Sequence, residues 1–188
     1  MKPTHLGDAH DLAKKDILKT LKAGLKERIY VIAMFTHVFD EEQLAFYKHL
    51  TCADEIKTEK FEHGTREAYF QNLSLDGFGI IFIDPDTGIR DKSKERKRRE
   101  CIRFDEIKSA STPDNLLVVY DESFSNSESK EKVIESKIEE FRKRNLFACY
   151  INFNRQLTFA LISQSEKRLE DAKRILVDEK VILPSRLK

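Results

Sequence analysis

The chain has 188 residues, a length that suits one domain with a buried core and not comfortably two. Lys and Arg number 34 against 33 Asp and Glu, and the resulting charge of +1 excludes a protein that works by bulk charge. Charged residues make up 36% and hydrophobic ones 40%, the latter clustered along the chain, which excludes an intrinsically disordered sequence.

No apolar run approaches the roughly 18 residues of a membrane span. The opening MKPTHLGDAHDLAKK has no apolar leader region. Cys52, Cys101 and Cys149 are scattered and odd in number, which reads as reduced thiols and a cytoplasmic location. The five histidines form no CxxC or HExxH spacing, so no metal site is expected from ligand spacing.

Asp8 is placed to cap a first helix, with Leu12, Ile17, Leu18, Leu21 and Leu25 near one face and Gly24 placed to end it. Residues 28–35, RIYVIAMF, form a continuous apolar run, as in a strand covered on both faces. Asp40 and Gln43 form a capping box before Leu44, Phe46, Tyr47 and Leu50 at helical spacing. Residues 56–62 alternate weakly as a short strand, and a helix is expected from Gly64-Thr65 through Tyr69 and Leu73. Residues 78–83, FGIIFI, are a second buried strand, and residues 116–120, LLVVY, a third. Val133, Ile134, Ile138 and Phe141 mark a long helix. Residues 146–152 and 157–163 are two strands whose short connection predicts a hairpin, and Leu169, Ala172, Ile175 and Leu176 mark a last helix. The expectation is a single Rossmann-like α/β domain over residues 1–188. Its mixed sheet would be mostly parallel and end in an antiparallel hairpin.

Ligands in such sheets sit beyond the carboxyl ends of the strands. The sequence there is Asp84-Pro85-Asp86-Thr87-Gly88, which makes Asp84 and Asp86 the candidate catalytic carboxylates. Every residue in it also favours a plain turn. Residues 90–103 follow at once, with eight basic residues against three acidic ones. That local excess suggests RNA or DNA held by Arg90, Arg96, Lys97, Arg98 and Arg99, the alternative being a solvated charged loop. Asp84 and Asp86 are expected to face a cleft lined also by Asp8, Asp11 or Lys14; the alternative is that Asp11 and Lys14, three apart on the polar face of the first helix, form an ordinary surface pair.

Gly7, Asp8, Asp11 and Lys14 stand in GDAHDLAKKDIL. This segment resembles the GNxxDVxKHxxL opening of the family of methyltransferases that modify adenine N6 in large-subunit ribosomal RNA. That family also has a strand ending in DPP plus an aromatic, and a late antiparallel strand pair. A closer resemblance, over most of the chain, is to an uncharacterised bacterial family with GDxxDxxK, FxDPDxG, DE[IL] and VVY motifs. These match Gly7 to Lys14, Phe82 to Gly88, Asp105-Glu106-Ile107 and Val118-Val119-Tyr120. The resemblance implies a methyltransferase-type fold and S-adenosylmethionine as cofactor, with Asp8, Asp11, Lys14 and His37 near it. The chain departs from the methyltransferase pattern in three places. No glycine follows the first strand, Asp86 stands at the second proline, and Thr87 stands at the base-stacking aromatic.

Two other readings come from the residues. Pro85-Asp86 followed by Glu106-Ile107-Lys108 fits the PD-ExK pattern of magnesium-dependent nucleases, with Asp86 and Glu106 as metal ligands and Lys108 beside the attacking water. A non-catalytic binding module fits the missing glycine loop without further assumptions.

Overall fold

The computed structural model describes residues 9–35, 37–71, 73, 75–91, 101–124, 129–153 and 157–188. Helix α1 (Ala9–Leu25) leads into strand β1 (Ile29–Ile32), helix α2 (Glu41–Leu50) and strand β2 (Glu55–Lys57). Helix α3 (Arg66–Gln71), strands β3 (Ile80–Ile83), β4 (Ile89–Arg90) and β5 (Ile102–Arg103), helix α4 (Phe104–Ala110) and strand β6 (Leu116–Tyr120) follow. Helix α5 (Lys130–Arg142), strands β7 (Phe147–Asn152) and β8 (Thr158–Ser163) and helix α6 (Glu166–Asp178) complete the order.

The main sheet has the order β2-β1-β3-β6-β8-β7. The first four strands are parallel, and β8 runs antiparallel to both β6 and β7. This is the expected Rossmann-like mixed sheet, mostly parallel with an antiparallel hairpin at one end. Strand β3 lies inside it, as its uninterrupted IIFI requires, because apolar side chains on both faces need cover on both. Alternation along each strand sorts the core into two layers. Ile29, Val31, Ile80, Phe82, Leu116 and Val118 pack with α1, α2 and α6. Ile81, Ile83, Leu117 and Val119 pack with α3, α4 and α5. Each fully buried side chain of this kind contributes about 1.5–3 kcal/mol.

Several boundaries differ from the sequence expectation. Strand β1 stops at Ile32; Ala33, Met34 and Phe35 stay buried but leave the ladder, and Met34 turns the chain at φ 45°. Residues 63–65 form a 3-10 turn before a short α3. Helix α1 runs through Gly24 to Leu25, and Lys26 at φ 57° ends it. Gly24 serves packing instead: a Cβ there would lie 2.6 Å from Ile175 Cγ2 on α6. The two-residue strands β4 and β5, which pair in parallel, were not expected. The capping box at Asp40 and Gln43 is present. Among the described residues no helix is long and apolar enough to cross a membrane.

Candidate functional site

Asp84 is the first residue beyond β3 and continues that strand's alternation, so its side chain turns towards α1 and α2. Lys14 Nζ donates to Asp84 Oδ2 at 2.9 Å, and the Tyr47 hydroxyl donates to the same oxygen at 2.7 Å. Lys14 also pairs with Asp11 Oδ1 at 3.1 Å. All four side chains are buried. Burial alone would lower the Lys14 pKa, but the Asp84 and Asp11 carboxylates beside it outweigh that and raise it. Burial, reinforced by Asp84, pushes the Tyr47 phenol well above its ordinary value.

This corrects the placement of Asp11 and Lys14 on a polar face. Lys14, Leu18 and Leu21 are buried on one stripe of α1, and Asp11 opens it. The first turns of the helix pass over the strand tips, where a carboxylate and a tyrosine hydroxyl can satisfy charge that elsewhere would have to face water.

The network opens towards solvent at Tyr120, the last residue of β6. Lys14 Nζ sits 4.6 Å from its ring centroid. The Tyr120 hydroxyl lies 2.8 Å from His10 Nδ1 and donates to Glu122 Oε1. The His10 and Glu122 side chains are 31% and 37% exposed, so this trio forms the outer layer of the site.

A second buried network lies one residue beyond β6. Asp121 follows Leu117 and Val119 to the other face of the sheet, where Lys137 Nζ of α5 donates to its Oδ2 at 2.5 Å and the Tyr150 hydroxyl at 3.1 Å. Its Oδ1 accepts from the Ile89 and Ser123 amides at 3.0 Å each and from the Ser123 hydroxyl at 2.6 Å. Burial alone would raise the Asp121 pKa, but Lys137 and these hydrogen bonds hold it below its ordinary value. Gly88, at φ 76°, is required here, since a Cβ would meet Asp121 Oδ1 at 2.2 Å. The DPDTG turn is thus held at both ends, by Lys14 and Tyr47 at Asp84 and by Asp121 at Ile89.

The other expected site residues are dispersed. Asp86 is exposed on the turn, and His37 is exposed between β1 and α2. Asp8, Arg96, Lys97, Arg98 and Arg99 lie outside the described residues. Arg90 belongs to β4 and reaches the Ser123 carbonyl at 3.5 Å. Glu106 corrects the nuclease reading. It sits on helix α4, where Arg66 clasps both of its oxygens and its Oε2 accepts from the Arg103 amide at 2.8 Å. A carboxylate committed to a 3%-exposed arginine is not presented to a metal. Among the described residues no cluster of three or more His, Cys, Asp or Glu is placed to hold a metal ion.

S-adenosylmethionine, the cofactor the resemblance implies, needs close backbone approach after β1. There the Met34 and Phe35 side chains are buried, and Phe35 packs on Phe39 and Tyr47 with ring centroids 4.2 and 5.6 Å apart. These side chains fill the space that a glycine turn would leave open, so the residues after β1 do not fit the cofactor there. Tyr47, Tyr120, Asp121 and Lys137 are the site residues that sequence reasoning missed. The available signal was Lys137, a lysine in the apolar stripe Ile134-Lys137-Phe141.

No family model matches the chain, and no curated protein matches it in sequence. Among solved structures, it is similar to the mitomycin 7-O-methyltransferase MmcR at 12% identity and a TM-score of 0.43, over 80% of this chain. The match covers 54% of MmcR, so the chain spans about half the length of that protein.

Proposed function

We propose that the chain is a methyltransferase-like protein that binds nucleic acid at the carboxyl edge of its sheet. The observation that carries this reading is the anchoring of the basic segment. The Ile102 amide donates to the Gly88 carbonyl at 3.0 Å, and β4 pairs with β5, so both flanks of residues 91–101 are fixed beside the Asp84 turn. In this reading Asp84 is a positioning residue, acting through Lys14 and Tyr47, and Asp86 is the carboxylate on the exposed side of the turn.

The test is titration with RNA and DNA oligonucleotides, with and without S-adenosylmethionine. Binding should weaken steeply with salt, because cationic contacts displace counterions. Replacing Arg96, Lys97, Arg98 and Arg99 with Gln should reduce both affinity and salt slope. Calorimetric binding of S-adenosylmethionine would support methyl transfer. Oligonucleotide binding without it would support the second reading, a non-catalytic module, which the filled β1 tip favours. No oligonucleotide binding by the unaltered chain would overturn the proposal.

A further inference from the structure

A groove of about 730 Å³ runs between α1 and α2, away from the Asp84 network. Lys15, Lys19, Lys22, Lys48 and His49 line it together with Cys52, and among the described residues no carboxylate does. Lys22 is held in place, donating to the Cys52 carbonyl at 2.9 Å and pairing with Asp54 at 2.8 Å. Lys15 Nζ donates to His49 Nε2 at 3.1 Å, a contact that leaves its charge unneutralised. Lys19 and Lys48 are exposed and have no ion-pair partner among the described residues. Three of the lysines fall at i, i+4 and i+7 on α1, a row about 10 Å long. Lys15, Lys19 and Lys48, which lack a carboxylate partner among the described residues, repel one another, and an anion with several charges in line relieves that repulsion.

We infer that the α1–α2 groove is a phosphate-backbone track for a nucleic-acid strand. This deepens the nucleic-acid reading above and rests on it. The lining has no aromatic ring apart from His49 and no backbone edge arranged to read a base, so contact is with phosphates and is independent of sequence. Basic residues in a row match a linear polyanion better than a compact one.

The groove contains its own reporter. Cys52 is half-buried in the lining, whereas Cys101 and Cys149 are buried in the core. Burial, with a smaller push from Asp16, raises the Cys52 thiol pKa against the opposing pull of Lys15, Lys22 and Lys19. The experiment measures the alkylation rate of Cys52 by a neutral reagent, with and without a single-stranded oligonucleotide, in the full chain. A bound strand should slow alkylation at least about fivefold. A Lys15→Gln, Lys19→Gln, Lys48→Gln triple variant leaves the held Lys22 intact. It should lower affinity about tenfold or more and reduce the salt slope by about 2, the value for three single-strand phosphate contacts. Circular dichroism checks that the variant is folded, and slowed Cys52 alkylation in the unaltered chain stands whether or not it is. Oligonucleotide binding with Cys52 unprotected and the triple variant unaffected would overturn the groove while leaving the nucleic-acid reading in place. Protection by inorganic tripolyphosphate but not by an oligonucleotide would also overturn it, assigning the groove to a free polyphosphate. Absence of any oligonucleotide binding would remove both readings together.

Discussion

Two neighbouring parallel strands each end in a buried aspartate, and the two sites are built from the same parts. Asp84 takes a lysine from α1 and a tyrosine hydroxyl from α2; Asp121 takes a lysine from α5 and a tyrosine hydroxyl from β7. They face opposite layers because one residue of offset along the strands reverses the side-chain direction. Their differences separate support from access. Asp121 has two backbone amides and a serine hydroxyl on its second oxygen, and every donor there fixes a loop. At Asp84 the lysine is shared with Asp11, and its far side touches the ring of Tyr120, whose hydroxyl meets half-exposed His10 and Glu122. The Asp121 network holds the turn in place, and the Asp84 network connects it to the surface.

The largest separation between them should come from deletion. Asp121→Ala leaves Lys137 and two amides buried without their acceptor and should cost about 3–5 kcal/mol in urea unfolding. Asp84→Ala should cost less, about 1.5–3 kcal/mol, because Lys14 keeps Asp11 as counter-ion. Equal losses would erase the distinction drawn here.

A smaller effect separates the two in pH. Asp121 has a folded pKa below its unfolded value near 3.8, so its contribution is present above that value and is lost as pH falls through the folded pKa. Lys14 has a folded pKa above 10.5, so its contribution is present below that value and is lost as pH rises through the folded pKa. Asp121→Asn should therefore flatten the acid limb of the stability profile, and Lys14→Met should flatten part of the alkaline limb. Denaturant midpoints measured from pH 2.5 to 11 would test both, and an unchanged acid limb in Asp121→Asn would count against the assignment.

Much of this fold was legible because apolar runs mark strands covered on both faces. LLVVY was placed without error, and FGIIFI and RIYVIAMF were overextended only at their ends. The overrun into Met34 and Phe35 has a physical cause: both are as buried as the strand, so hydrophobicity alone cannot show where hydrogen bonding stops. The pairing of Asp84 with the first helix was legible as two motifs but not as a burial pattern, because Asp11 and Lys14 look solvated until a partner is known. Tyr47 read as an ordinary apolar helix position, and its hydroxyl acquires meaning only from Asp84, 37 residues on. The Asp121 network was missed because its members come from separate elements and lack a shared motif.

The contact of Gly24 with Ile175 joins the first described helix to the last, across about 150 residues of sequence. Contacts that distant raise contact order and slow folding, because the loop-closure entropy is lost before they form. Strands β1, β3 and β6 can assemble while α1 is still undocked, leaving the Asp84 carboxylate hydrated. Lys14 should then arrive late, once α6 has given α1 a surface to lie on. In kinetic terms the site should mature after the sheet. A larger side chain at Gly24 should accordingly act on the unfolding rate of α1 more than on the assembly of the strands.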